Sequence, residues 1–126
     1  MPDWLVQGNP PQETWFEERC FITEHLNHPA SPEMSLALAR VAPGVTTRLH
    51  AVAGITERYV IRAGEGRVEV GGAQADVVPG DTVVIPPGVP QRIRNTGAGD
   101  LEFYCICTPR FEPEAYRDLE ADGEDD

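Results

Sequence analysis

The sequence predicts an all-β, antiparallel domain, and three observations carry that prediction. Turn signals recur at short intervals, at Pro43-Gly44, Gly64-Glu65-Gly66, Gly71-Gly72, Pro79-Gly80, Pro86-Pro87-Gly88 and Asn95-Thr96-Gly97-Ala98-Gly99. The runs between them are rich in Val, Ile, Thr and aromatic residues, and turns every roughly 8–12 residues belong to a sandwich or barrel. After residue 34 no window keeps a long helical period.

The elements follow in order. Residues 1–34 form a lead-in: a polar start with Pro10-Pro11, then a stretch from Thr14 to Leu26 suited to a further strand against the barrel or a partner, ended by His25-Leu26-Asn27-His28-Pro29. Residues 35–111 hold the barrel. Residues 112–126 carry eight of the 21 acidic residues against the single Arg117, and predict a short helix from Pro113 to Leu119 leading into a disordered acidic end.

With 126 residues, 40% of them apolar and 25% charged, the chain has the profile of one globular domain with its own core. A formal charge of −11 argues against nucleic acid or an anionic membrane surface as partner. All ten basic residues are arginine, which excludes reactions built on a lysine Schiff base or lysine base. No apolar stretch is long enough to span a bilayer, and the start has no basic or apolar signal region, so a cytoplasmic protein is expected. Cys20, Cys105 and Cys107 fit neither a zinc ribbon nor a CxxC pair, and reduced thiols are the simplest reading.

Strand parity then selects the inward side chains. In Glu57-Arg58-Tyr59-Val60-Ile61-Arg62 the odd positions hold Tyr59 and Ile61 and the even ones two arginines, so Glu57 points into the barrel. An inward carboxylate costs several kcal/mol unless paired, hydrogen-bonded or metal-bound. A hairpin centred on Ala53-Gly54 would place His50 opposite Glu57 and Arg48 opposite Tyr59. The same parity turns Gln91 and Ile93 inward, and sets Leu101, Phe103, Cys105 and Cys107 on the apolar face of the last long strand.

These residues resemble the cupin superfamily. Gly44, His50, Glu57 and Gly64 fall at the intervals of the first cupin motif, and Gly80, Pro86, Gly88 and Asn95 at those of the second, over about two fifths of the chain. The resemblance implies an antiparallel double-stranded β-helix, the jelly-roll cupin barrel, commonly dimeric. It also implies a divalent metal held by two histidines and a glutamate of the first motif and a histidine of the second. Here Val52 stands at the second of these histidines and Gln91 at the third, so two of four positions are substituted. The remaining set, His50 and Glu57 with Gln91 as a neutral oxygen donor, would suit Mn, Fe, Ni or Zn.

The alternative reading of His50 and Glu57 is a structural charge-assisted pair. Arg48, Tyr59 and Val52 are the candidate substrate contacts: Arg48 as a fork for a carboxylate or phosphate, Tyr59 as a donor or as packing, Val52 as an apolar wall. Cys105 and Cys107 read as small hydrophobes, and His25 and His28 carry no chemistry. Three functions stay open. They are a metal-dependent enzyme of oxygenase, isomerase or lyase type on a small oxygen-rich molecule, a metal-free cupin that binds a small ligand, and a structural homodimerisation module.

Overall fold

The computed structural model describes residues 2–7 and 12–120. Eleven strands form two antiparallel sheets. They are β1 Glu13–Phe16, β2 Cys20–Leu26, β3 Ser35–Val41, β4 His50–Val52, β5 Thr56–Ala63, β6 Gly66–Val70, β7 Ala73–Val77, β8 Thr82–Ile85, β9 Gln91–Asn95, β10 Leu101–Thr108 and β11 Tyr116–Asp118. The six-stranded sheet runs β1-β2-β3-β10-β5-β8 and the five-stranded one β11-β4-β9-β6-β7. From β3 onward the chain crosses to the other sheet at every connection except the β6–β7 hairpin, and this closes the barrel.

The core lies between the two inner faces. Tyr59, Ile61, Leu101 and Phe103 from the large sheet pack against Val68 and Ile93 from the small one. Parity drives this: in β5 the odd positions 57, 59 and 61 are buried while Arg62 is exposed. Asn95 is 1% exposed. Its side-chain amide donates to the carbonyls of Val41 at 2.9 Å and Gly99 at 2.8 Å, and its Oδ1 accepts from the Gly97 amide at 2.9 Å. One side chain thereby ties β3 to the turn before β10.

Three expectations are corrected. The β4–β5 segment is not a hairpin: β4 pairs with β9 and β11, β5 with β10 and β8, and the Ala53-Gly54-Ile55 turn carries the chain from one sheet to the other. His50 is therefore opposite Gln91 and Asp118 in its ladders, and Glu57 opposite Ile85 and Cys107. Thr14 to Leu26 is two strands rather than one, folded back at a turn where Arg19 has φ 71, and β2 pairs along β3. Residues 113–119 are not a helix. Pro113–Ala115 makes one 3-10 turn, and Tyr116–Asp118 then pairs with β4, a ladder that outweighs local helix propensity. Asp118 and Glu120 of the acidic segment are held by arginines. Residues 121–126, where a disordered end is expected, and the Pro10-Pro11 lead-in lie outside the described residues.

The glycines of the two motifs differ in what they do. A Cβ on Gly64, at φ +83, would lie 2.5 Å from the Asp100 carbonyl oxygen and 2.9 Å from the Leu101 Cα, both backbone. Gly80, at φ +98, faces open space. Gly64→Ala is expected to cost about 3 kcal/mol or more, the sum of a left-handed backbone and a clash that cannot relax, and Gly80→Ala only about 1–2 kcal/mol. Urea unfolding of the two variants checks the order.

Candidate functional site

The inner ends of β2, β4, β5 and β10 surround a cavity of about 360 Å³. Its polar floor is made by Glu18, His50, Glu57 and Cys105, and its walls include Ile22, Leu26, Leu36, Val52, Phe111 and Tyr116.

His50 is 3% exposed. Its Nδ1 lies 2.8 Å from the Arg48 carbonyl oxygen, which can only accept, so Nδ1 carries the proton and, in the neutral ring, Nε2 offers a lone pair. That Nε2 stands 3.2 Å from Oε2 of Glu18. Tyr116 stacks on the imidazole, ring centroids 5.0 Å apart and planes 16° from parallel. The ring is thus fixed by a backbone acceptor on one side and an aromatic face on the other.

Glu18 sits in the β1–β2 turn, where its carbonyl accepts the Arg48 amide at 3.0 Å. Its Oε1 is 3.6 Å from the Cys20 thiol, and its Oε2, although close to His50, has no aligned hydrogen-bond partner among the described residues. Oε1 of Glu57 is likewise buried without a partner. Burial pushes the Glu18 carboxyl up to about 7, against a smaller opposing effect of the Cys20 thiol. Glu57 is also raised to about 7, first by burial and then by the Glu18 charge; His50, the Gln91 amide and the Cys105 thiol oppose the rise. Two buried carboxyls and a histidine thus line one cavity, with one oxygen of each carboxyl lacking a hydrogen-bond partner among the described residues.

The residues singled out in the sequence divide into three groups. His50, Glu57 and Val52 line the cavity. Tyr59 and Gln91 stand behind it: the Tyr59 hydroxyl donates to Gln91 Oε1, and the Gln91 amide favours the ionised form of Glu57. Gln91 therefore meets Glu57 through its amide, while its oxygen is engaged by Tyr59. Arg48 does not face Tyr59, a correction that follows from the missing hairpin. Its guanidinium turns outward, 3.1 Å from Asp118 and 3.8 Å from Glu120.

Glu18 and Tyr116 were not among the sequence candidates. Glu18 keeps phase with Ile22 and Glu24, both on the cavity side of β2, so parity extended back across the turn would have found it. Tyr116 has no such signal, because only the pairing of β11 with β4 brings it over His50.

A closed antiparallel barrel with a histidine and inward carboxylates at one end defines a small β-barrel protein with a polar interior site. The chain belongs to the cupin family: residues 37–107 match the cupin domain. It is 34% identical over 102 residues to an uncharacterized protein of Methanocaldococcus jannaschii, covering 79% of this chain and 82% of that protein. Among solved structures it is similar to a predicted oxalate decarboxylase of Thermotoga maritima, with TM-score 0.74 and 24% identity, over 83% of this chain and 98% of that one. KdgF of a Halomonas species is similar at TM-score 0.73 and 16% identity, over 82% of this chain and 90% of that one. Oxalate decarboxylase of Bacillus subtilis matches at TM-score 0.77 and 22% identity, over 90% of this chain but 31% of the larger protein. At these identities the solved structures establish the shared fold.

The raised carboxyls predict a pH dependence with a definite sign. A carboxyl whose folded pKa, about 7, exceeds its unfolded value near 4.5 binds its proton more tightly when folded. Its stabilisation is complete below pH 4.5 and is lost as pH rises through 7. In chelator, unfolding free energy is expected to fall between pH 5 and pH 8, on the order of 3 kcal/mol for one such group. Glu57→Gln is expected to flatten much of that slope in a urea-unfolding series.

Proposed function

We propose that this cupin is a metal-dependent enzyme acting on a small oxygen-rich molecule in the barrel cavity. The observation that carries the reading is that Glu18 Oε2 and Glu57 Oε1, two buried carboxyl oxygens without a hydrogen-bond partner among the described residues, line one cavity with His50, whose Nε2 stands 3.2 Å from Glu18. Such a pair is costly in an apolar interior, and one divalent cation held by the two carboxylates and the imidazole would relieve it. Among the described residues no three His, Cys, Asp or Glu side chains stand in ready ligating geometry. Glu18, Glu57 and His50 are the residues that would hold the ion, with Gln91 behind Glu57. A mixed N/O set of this kind suits Mn, Fe, Ni or Zn.

When bound, the ion would supply Lewis acidity to a substrate oxygen. The chain's own residues do the rest. His50 is held in one tautomer by the Arg48 carbonyl, and the Tyr59–Gln91 pair orients Glu57 from behind, as outer groups commonly do for ligands. Tyr116 covers the imidazole and limits water at that face. In the metal-free protein Glu18 and Glu57, raised to about 7 by burial, hold a proton near neutral pH, and that proton would leave when the ion binds.

A second reading has its own support. Val52, 4% exposed, makes an apolar wall where cupins resembling this chain place a histidine, and this favours a metal-free cupin that holds a small ligand by shape. The structural-module reading rests on edge strand β1, whose Trp15 is 59% exposed and would suit a homodimer. No helix among the described residues is long and apolar enough to cross a membrane. The free thiols of Cys20, Cys105 and Cys107 support a reducing, cytoplasmic setting.

Elemental analysis of untagged, natively purified protein tests the first reading. Near-stoichiometric Mn, Fe, Ni or Zn is expected, lowered at least roughly tenfold in affinity by Glu18→Gln, Glu57→Gln or His50→Ala, and roughly tenfold to a hundredfold by Gln91→Leu. Protein without metal, even after reconstitution, would shift the reading to the metal-free ligand binder.

A further inference from the structure

The cavity also carries information about the charge of what enters it. Three glutamates line it, Glu18 and Glu57 at the floor and Glu24 on β2, and no arginine does; the chain has no lysine. The arginines around it are engaged elsewhere: Arg110 pairs with Glu112 at 3.0 Å and donates to Asn27 Oδ1, and Arg58 donates to the Thr108 hydroxyl at 2.7 Å. Arg48 pairs with Asp118, and Arg19 with Glu120 at 2.7 Å. Both pairs pin the segment that carries Tyr116, and the Leu49 amide adds a 2.7 Å bond to Glu120. Turning either guanidinium inward would therefore unpin the wall.

A dication held by Glu18 and Glu57 would cancel their two charges, leaving Glu24, whose Oε2 accepts from the Asn27 amide at 3.0 Å, as the remaining carboxylate of the lining. Above the floor the walls are apolar and partly aromatic, with Phe16, Phe111 and Tyr116 along one side. A volume of about 360 Å³ holds a molecule of roughly a dozen non-hydrogen atoms at ordinary packing density.

We infer that the cavity selects an uncharged or cationic small molecule with an apolar body and a hydrogen-bonding oxygen or nitrogen head, and rejects dicarboxylates. This deepens the proposed function by naming its substrate class. It rests on the cavity being the ligand site, and holds with or without a metal.

Matched probes of one shape and three charges test it: 3-hydroxybenzyl alcohol, 3-hydroxybenzylamine and 3-hydroxybenzoate, with oxalate as the dicarboxylate. Each is titrated calorimetrically into the full chain at pH 7.5, once after chelator treatment and once loaded with Zn²⁺. The alcohol and the amine are expected to bind at least roughly tenfold more tightly than the benzoate, with no heat from oxalate. Glu24→Arg, a change at an exposed position on the cavity rim, is expected to tighten the benzoate by roughly tenfold. Equal or tighter binding of 3-hydroxybenzoate or oxalate in both forms overturns the inference. So does failure of all three aromatic probes to bind, or a benzoate affinity indifferent to Glu24→Arg. Absence of zinc uptake with the order of probes preserved would remove the metal reading and leave this one standing.

Discussion

Two carboxylates buried at the same end of one barrel are the constraint around which the rest of this structure is arranged. Glu18 comes from the β1–β2 turn and Glu57 from β5, yet each leaves an oxygen without a hydrogen-bond partner among the described residues, in an interior otherwise filled largely by aliphatic and aromatic side chains. A domain of this size has a net stability of only about 5–15 kcal/mol, so two unrelieved charges are a large fraction of it. The neighbouring groups limit that cost. Tyr59 fixes Gln91, Gln91 faces Glu57, and the Arg48 carbonyl holds the His50 ring with Nε2 toward Glu18. What remains is one buried oxygen on each carboxyl without a hydrogen-bond partner among the described residues.

The site is assembled from beyond the shared domain. Residues 37–107, which match the cupin family, contain His50, Glu57 and Gln91, whereas Glu18 comes from the hairpin before them and Tyr116 from the strand after. Both flanks join the barrel sheets, β2 along β3 and β11 along β4. They are also joined to each other, since Arg19 of the first turn grips Glu120 beyond the last strand. The cavity thus takes a carboxylate from one flank and an aromatic cover from the other. The arginines that might have brought positive charge to the cavity are used instead to clamp the flanks.

How much of this was legible in the sequence depended on the range of the interaction. Parity within one strand is a local property, and it placed Glu57, Tyr59 and Gln91 on the inward face correctly. The proximity of His50 to Glu57 was anticipated for a reason that does not hold. The two are not ladder partners but lie on different sheets, brought within electrostatic reach by closure of the barrel. The same mistaken hairpin sent Arg48 inward, where the structure sends it to Asp118. Glu18 was missed because the argument stopped at residue 34, and the β1–β2 turn broke the strand whose phase would have pointed to it. Pairing of β11 with β4 is a contact across more than sixty residues, and nothing local announces it.

The protonation of the two carboxyls, read directly, tests the account most closely. Selective ¹³C labelling of glutamate side chains allows Glu18 and Glu57 to be followed by NMR through a pH titration, with and without one equivalent of Zn²⁺. The account predicts that both titrate near 7 in the metal-free protein, and that zinc displaces their protons so that both are ionised well below that pH. Ordinary titration near 4.5 in the metal-free protein, or titrations that zinc leaves unmoved, would contradict it.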